Sequence, residues 1–244
     1  MILAPSSPAV MASTSQASNS LNYFPTPPWA YRALIHEVLR SNWLLPDCPY
    51  LGGQTVWEPA CGGGHGALPL SEVFKVYATD VHDWGYGAIR DLDFSFCSAA
   101  DAPFPIDWVI TNPPFTLAEM FLTRGLAIAR KGVALLVRVQ WVEGVDRYHQ
   151  IFNAVGDLKP DLICPFAERV PMIEGAWDPE AKSATAYCWI VWTEGHDLEN
   201  DRYRLPRVYH FRPGMADRYT RSADEPLARR GEAARRLAEK KRAA

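Results

Sequence analysis

Apolar and polar positions alternate along most of the chain in patterns typical of strands and helices. Residues 29–40 place their apolar side chains on one broad face, which predicts a helix. Short apolar runs bounded by turn residues predict strands at 54–58, 74–79, 91–96, 106–111, 133–139, 162–166 and 185–192. Helical patterns follow the glycine-rich turn and the later strands, at 67–73, 117–130 and 145–155.

This order of elements predicts an α/β fold. Strands that alternate with helices form a mostly parallel sheet with helices on both faces, here Rossmann-like and seven-stranded. The last two strands have no helix between them, so we expect an antiparallel hairpin at one edge. The apolar pattern fades after residue 201. We therefore expect a disordered leader at 1–21, one domain at 22–200 and a basic C-terminal tail at 201–244.

Composition narrows the class of protein. The chain has 244 residues, 48% of them hydrophobic and 22% charged, which suits a globular domain with a real core. No apolar run approaches the roughly 20 residues of a membrane-spanning helix, and the leader lacks the features of a signal peptide. The five cysteines form no CxxC pair, so we expect no metal site, no disulfide framework and a cytoplasmic location.

Charge is divided unevenly along the chain. Residues 1–201 carry 12 Lys/Arg and 23 Asp/Glu, whereas residues 202–244 carry 13 Lys/Arg and 5 Asp/Glu. A basic tail on an acidic body suggests a polyanionic partner such as nucleic acid, with binding that falls steeply with salt and is lost on deleting residues 225–244. A tail that is simply solvated fits the pattern equally well.

A glycine-rich turn lies between a predicted strand and a predicted helix. The segment 57–66, WEPACGGGHG, lacks the Gly-Lys-Ser/Thr of a phosphate loop. Glu58 ends the strand, and its carboxylate would repel a pyrophosphate but attract a cationic ligand. Asp80 follows the next strand about 20 residues later, the separation expected for a carboxylate that binds ribose hydroxyls. Asp93 could accept from an adenine amino group, and Phe94 could pack on the ring.

The segment 107–115, DWVITNPPF, gives the most specific signal. Two prolines directly after a buried strand fix the backbone and leave carbonyl groups outside the ladder. Alone, the segment also fits a proline-terminated strand followed by a core phenylalanine. With the glycine turn about 50 residues upstream, a ligand site at the carboxyl ends of the strands is the better interpretation.

These motifs resemble those of the amino-methyltransferases, which include the DNA adenine-N6 methyltransferases. Asn-Pro-Pro-Phe resembles their catalytic motif, Glu-Pro-Ala-Cys-Gly-Gly-Gly their cofactor motif, and Phe-Pro-Thr-Pro-Pro-Trp the segment that closes over the methionine end of the cofactor. The order resembles the gamma arrangement, and more closely that of small phage and prophage enzymes. The resemblance covers roughly residues 23–193. It implies the class I methyltransferase fold and S-adenosyl-L-methionine as cofactor.

The resemblance and the residue chemistry together give a set of expected site residues. The expected catalytic residues are Asn112, Pro113, Pro114 and Phe115. The expected cofactor-binding residues are Thr26, Pro27, Glu58, Pro59, Ala60, Gly62, Gly64, Asp80, Asp93, Phe94 and Asn112. The Asn112 side chain and the Pro113 carbonyl would hold both N–H groups of a planar amine, while Phe115 stacks on the base.

The expected reaction is methyl transfer to N6 of adenine in DNA. An RNA base or a protein glutamine amide is an alternative acceptor, since both are planar amines. A non-catalytic nucleic-acid-binding module with the same fold is the alternative of another class. The chain has no Pro-Cys dipeptide, so cytosine-C5 methylation is set aside. The oligomeric state, a homodimer among the options, the recognition sequence and any restriction partner stay open.

Overall fold

Seven strands form one sheet in the computed structural model, which describes residues 23–45, 50–86, 89, 91–153, 158–194 and 205–243. The strands are β1 Thr55–Glu58, β2 Lys75–Ala78, β3 Trp108–Thr111, β4 Gly132–Arg138, β5 Leu162–Pro165, β6 Tyr187–Thr193 and β7 Arg207–Val208. Their order in the sheet is β2-β1-β3-β4-β6-β5-β7. Strands β2, β1, β3 and β4 are parallel, and β6 runs antiparallel between β4 and β5. The predicted mostly parallel α/β sheet is confirmed.

Helices connect the strands and follow the last of them. They are α1 Pro28–Ala33, α2 Ala67–Ser71, α3 Ala118–Ile128, α4 Val145–Arg147, α5 Met215–Tyr219 and α6 Glu232–Ala243. Two π-helical stretches, Leu34–Leu39 and Tyr148–Phe152, continue α1 and α4. Pro28 begins α1, where a backbone N–H would have no partner within the helix, so a proline is tolerated there. The predicted helix at 145–155 thus forms through residue 152, and its last two residues lie outside the described part of the chain.

The central strands β3, β4 and β6 are buried on both faces because they are apolar at nearly every position. Along β3, Trp108 packs on the side of α1 and Val109 on the side of α3; Trp189 and Ile190 repeat this alternation on β6. A strand points successive side chains to opposite faces, so a continuous apolar run supplies two core layers. The central strands therefore form a rigid base below the loops at their carboxyl ends.

The predicted third strand at 91–96 is wrong. The chain forms a 3₁₀ turn at Phe94–Phe96, which the Asp93 side chain caps by accepting from the Ser95 amide at 2.9 Å. An aspartate that bonds the backbone two residues on offers the chain an alternative to a ladder. The seventh strand is β7, which pairs parallel with β5. The predicted antiparallel pair β5–β6 is confirmed, and β7 lies beyond it at the edge of the sheet.

The C-terminal segment contributes to the fold beyond the expected boundary at residue 200. Besides β7, it supplies α5, which packs against α1, and Asp224, which binds the buried guanidinium of Arg32 through two contacts of 2.7 Å. Glu72 binds the same guanidinium at 2.8 Å. Residues 205–227 thus pack as part of the fold, and exposed basic side chains occur both before α6 and within it. The expected leader lies outside the described residues.

Two further expectations concern absences. Within the described ranges, no helix is both long enough and apolar enough to cross a membrane. The same residues contain no group of three or more His, Cys, Asp or Glu side chains arranged to hold a metal ion.

Candidate active site

A cavity of about 210 Å³ lies at the carboxyl ends of β1, β2 and β3. In an open parallel sheet, the loops after neighbouring strands diverge at this edge and leave a crevice. The N-terminal segment closes the cavity from the other side. The lining residues are Tyr23, Phe24, Pro25, Thr26, Tyr31, Pro59, Ala60, Cys61, His65, Gly66, Asp80, Val81, Trp84, Asp93, Phe94, Asn112, Pro114, Leu117 and Phe121.

The structure brings many of the expected site residues to this one cavity. Those on its wall are Thr26, Pro59, Ala60, Asp80, Asp93, Phe94, Asn112 and Pro114. Those that belong to the same loops but do not line it are Pro27, Glu58, Gly62, Gly64, Pro113 and Phe115. The expected site residues did not include His65 or the aromatic wall formed by Tyr23, Phe24, Tyr31, Trp84 and Phe121. The cluster of aromatic residues ahead of α1 was the signal for part of this wall.

Asn112 lies directly after β3, and its side chain bridges two segments. The amide Nδ2 donates to the backbone carbonyl of Phe24 at 2.9 Å. The amide Oδ1 is buried and accepts no hydrogen bond from the described residues. A buried acceptor without a donor is unfavourable by about 1–3 kcal/mol. Such an atom on a cavity wall marks a place where a ligand N–H or O–H would be stabilised.

Phe115 is half-buried behind the Asn112 loop. The guanidinium of Arg138 lies over its ring at 4.1 Å from the centroid, and the Phe24 ring is 5.4 Å away. Arg138 ends β4, so this cation–π contact ties the carboxyl ends of β3 and β4 together. Stacking of Phe115 on a target base stays a prediction, and it requires a ring face other than the one that Arg138 covers.

The glycine turn is held by Asp80. The Gly62 amide donates to Asp80 Oδ2 at 2.9 Å, and Oδ1 accepts from the His82 amide at 3.0 Å. Gly62 has φ +53°, and a Cβ there would overlap the ring of Tyr23. The turn therefore needs glycine both for its backbone and for the close approach of an aromatic ring.

Tyr23 covers the glycine turn. Its hydroxyl accepts from the Gly63 amide at 3.0 Å, and its ring stacks on Trp84 with centroids 4.0 Å apart. The Tyr23 carbonyl accepts from the Gly175 amide at 2.7 Å, so the loop before β6 holds the segment in place. The two stacked rings form part of the wall over the glycine turn and Asp80.

Glu58 does not face the cavity, contrary to the expectation of a carboxylate presented to a cationic ligand. It is fully buried, and its Oε2 accepts from the Tyr31 hydroxyl at 2.8 Å. Burial raises the pKa of Glu58 to about 8, although the hydrogen bonds from Tyr31 and the Ala60 amide oppose the change. Glu58 is therefore mostly protonated at neutral pH and acts as a hydrogen-bonded support beneath Tyr31 and Ala60.

His65 is a cavity residue with one ring nitrogen engaged. Nε2 lies 3.3 Å from the backbone carbonyl of Leu227, and Nδ1 is buried without a hydrogen-bond partner in the described ranges. Burial lowers the pKa of His65 to about 4. The imidazole is therefore neutral at physiological pH and is too weak a base to deprotonate a ligand.

Comparison with solved structures places this architecture among known folds. A protein from Listeria monocytogenes assigned as a class I S-adenosylmethionine-dependent methyltransferase superposes with a TM-score of 0.50 at 14% identity, over 79% of this chain and 67% of that one. A type I restriction-modification methyltransferase subunit from Streptococcus thermophilus gives a TM-score of 0.51 at 11% identity, over 78% and 47%. The chain has the class I methyltransferase fold.

Other comparisons show that this fold does not identify a substrate. A protein from Pyrococcus horikoshii assigned as an RNA methyltransferase superposes with a TM-score of 0.50 at 16% identity, over 71% of this chain and 88% of that one. No family model and no curated protein matches the sequence. The chain spans about half of the restriction-modification subunit, at 47%. The comparisons thus show the fold alone.

The cavity of this methyltransferase fold suits a nucleoside that carries an amino-acid arm. Asp80 and Asp93 offer carboxylate oxygens for hydroxyl and amino groups, and Phe94 offers a buried aromatic ring. Asn112 and His65 add two acceptor atoms that have no protein partner in the described residues. These are the complements of ribose hydroxyls, an adenine ring and an ammonium group, so the residues present fit S-adenosyl-L-methionine.

Proposed function

We propose that this protein transfers a methyl group from S-adenosyl-L-methionine to an exocyclic amino group, N6 of adenine in DNA. The observation that carries the proposal is the buried, unpartnered Oδ1 of Asn112 on the cavity wall, in an Asn-Pro-Pro-Phe loop directly after β3. S-adenosyl-L-methionine supplies an electrophilic methyl group. The protein must then bind the cofactor, hold the amine in line with that methyl group and exclude water.

Asn112 and Pro113 are proposed to bind the amino group that is methylated. An aryl amine is a poor nucleophile because its lone pair is delocalised into the ring. Asn112 Oδ1 and the Pro113 carbonyl each accept one N–H, which turns the nitrogen toward tetrahedral geometry and directs its lone pair at the methyl group. With the donor bound, the amine would take its methyl group, the demethylated cofactor would leave, and the cationic nitrogen would release one proton to water. Both acceptors bind more strongly as positive charge develops, so they favour the transition state.

The cofactor site is assigned to the residues around the glycine turn. Asp80 Oδ1 already accepts from the His82 amide and the Trp84 indole, whereas Oδ2 accepts from Gly62 alone and keeps a second lone pair for a ribose hydroxyl. Asp93 and Phe94 would bind the adenine ring, while Thr26 and the Tyr23–Trp84 pair cover the cavity. The catalytic domain is proposed at residues 22–200, extended by the packed segment 205–227.

DNA is the favoured acceptor because of the motif and because a basic helix is anchored to the loop that holds Tyr23. Arg236, in the first turns of α6, donates to the Glu174 carbonyl at 2.6 Å, and the adjacent Gly175 amide binds the Tyr23 carbonyl. Helix α6 thus begins beside the loop that holds Tyr23 and carries Lys240, Lys241 and Arg242 in exposed positions near its end. These side chains would bind phosphates beside a base that has left the helical stack.

Transfer of a labelled methyl group distinguishes the acceptors. The protein is incubated with methyl-labelled S-adenosyl-L-methionine and, separately, with double-stranded DNA, single-stranded DNA, RNA and a glutamine-containing peptide. We expect label in DNA. Label in RNA or peptide alone would show that the acceptor is not DNA, while methyl transfer itself would stand. Cofactor binding without transfer to any substrate would favour a non-catalytic module.

A further inference from the structure

His65 is a polar cavity residue to which the proposed reaction gives no role. It follows the glycine turn directly, lines the cavity and is 8% exposed. The Leu227 carbonyl beside Nε2 can only accept a hydrogen bond, so the ring proton is on Nε2. Nδ1 therefore holds a free lone pair, and it is the ring nitrogen that is buried without a partner in the described residues.

The C-terminal segment fixes this tautomer. Asp224 anchors the segment to the buried Arg32, and the Arg229 amide donates to the Trp177 carbonyl at 2.7 Å. The Leu227 carbonyl lies between these two anchors. The Trp177 ring meets the imidazole edge-on, with centroids 6.4 Å apart. The ring is thus held on two sides, and Nδ1 keeps one protonation state and one orientation.

Glu58 is not available in the cavity as an acceptor for a ligand. Glu58 is fully buried behind Tyr31 and does not line the cavity, so its carboxyl group is not presented to a cationic ligand group. Asp80 Oδ1 already accepts from His82 and Trp84, and Oδ2 accepts from Gly62 and is assigned a ribose hydroxyl. A Cβ placed on Gly63 would be 3.4 Å from His65 Nδ1, which puts this lone pair against the glycine turn.

We propose that His65 Nδ1 accepts a hydrogen bond from the α-ammonium group of the methyl donor and so positions its amino-acid arm. This inference rests on the proposed function and names a positioning residue in the same site. The low pKa of His65, a result of burial, keeps Nδ1 unprotonated throughout the neutral range. A protonated imidazole would instead repel the ammonium group.

Calorimetric binding of two ligands tests this assignment without any turnover. The ligands are S-adenosylhomocysteine and its deaminated analogue, in which hydrogen replaces the amino group. A hydrogen bond to a charged group contributes about 1.5–3 kcal/mol. The His65→Phe variant should therefore bind S-adenosylhomocysteine about tenfold to a hundredfold more weakly than the wild type. Binding of the deaminated analogue should change by less than about twofold, because the analogue lacks the group that Nδ1 accepts from.

Two further variants separate positioning from structure. His65→Asn places an amide oxygen near the position of Nδ1 and should recover part of the lost affinity. His36→Phe is the matched control, since His36 stacks on Tyr219 outside the cavity, and it should bind both ligands like the wild type.

Three results would overturn the assignment. Equal losses for both ligands in His65→Phe would show a structural role, and unchanged binding of S-adenosylhomocysteine would show no role. If the wild-type protein bound neither ligand, the proposed function itself would fail, and the inference with it.

Discussion

The side-chain amide of Asn112 donates a hydrogen bond of 2.9 Å to the backbone carbonyl of Phe24, 88 residues earlier in the chain. The bond directs Nδ2 toward the N-terminal segment and leaves Oδ1 as the free acceptor on the cavity wall. One residue thus joins the segment that covers the cavity to the loop that would hold the amine. In the proposed reaction, cofactor enclosure and amine orientation would be physically linked through this side chain.

Replacing Asn112 should separate binding from transfer. Asn112→Ala removes the Oδ1 acceptor, and removal of one such transition-state hydrogen bond typically lowers the rate by about 10²–10³. S-adenosylhomocysteine affinity should fall much less, because Asn112 is one of many cavity residues. Single-turnover kinetics and calorimetry measure the two effects.

Asn112→Asp is the matched variant. It keeps acceptor oxygens but cannot donate to the Phe24 carbonyl, so we expect transfer above the alanine variant with weaker cofactor binding. Full activity in Asn112→Ala would refute the role given to Oδ1.

Glu58 should make the protein less stable as pH rises. Its pKa is raised from about 4.5 to about 8 by burial, so the folded state keeps a proton that the unfolded chain releases. The free energy of unfolding should then fall as the pH rises from about 4.5 to about 8, and this group contributes at most about 1.4 kcal/mol per pH unit to that fall. Glu58→Gln carries no such proton and should melt at a higher temperature than the wild type at pH 8, with a smaller difference at pH 5.

Thermal melts across this range, with calorimetry, provide the check. Because Glu58 does not line the cavity, Glu58→Gln should keep its affinity for S-adenosylhomocysteine. Parallel melting profiles for the two proteins would show that Glu58 is already ionised. A large loss of affinity in Glu58→Gln would show that Glu58 contacts the ligand.

Gly62 should be intolerant of a side chain for two reasons. Gly62→Ala strains a residue at φ +53° and places a Cβ against the Tyr23 ring, so Tyr23 must shift away from the glycine turn. We expect weaker binding of S-adenosylhomocysteine together with a stability loss of about 1 kcal/mol or more. Calorimetry and denaturant unfolding measure these two quantities.

Gly53→Ala is the control for backbone strain alone. Gly53 has φ +76°, but a Cβ there would meet nothing within 4 Å. This variant should lose similar stability and keep its ligand affinity. If both variants bound the ligand equally well, the cover formed by Tyr23 would have no part in binding.

Helix α6 should supply the salt dependence of DNA binding. Charge reversal of Lys240, Lys241 and Arg242 should lower the slope of log K against log salt by about 0.9 for each phosphate that the helix no longer neutralises. Substitution is cleaner than deleting residues 225–244, because that deletion would also remove the Leu227 carbonyl bound to His65.

Lys131→Glu is the control. Lys131 lies at the amino end of β4, whereas the cavity lies at the carboxyl ends of the strands. It should leave the slope unchanged. An equal change in both variants would show that the basic helix has no special role.

Periodicity and motif spacing predicted most of the fold and the location of the site. The runs that form β3, β4 and β6 are apolar at almost every position, so the parallel core and the crevice above it could be predicted. The short strand β7 could not, because its two residues are exposed and owe their pairing to β5. The 3₁₀ turn at Phe94 depends on one capping hydrogen bond, which competes with a weak strand pattern.

Within the site, the sequence indicated residue types but not which side chains face the ligand. Glu58 fits the pattern of a ligand-binding carboxylate, yet Tyr31 from α1 closes it off. His65 has no informative spacing, and its free Nδ1 results from a contact with Leu227, 162 residues away. Such partners come from tertiary packing, which local pattern does not record.

The most direct test of the central claim is the identity of the methylated atom. DNA incubated with the protein and S-adenosyl-L-methionine is digested to nucleosides and analysed by mass spectrometry, beside the Asn112→Ala variant. We expect N6-methyldeoxyadenosine with the wild type and essentially none with the variant. Methylation at a carbon atom, or equal product from both proteins, would contradict it.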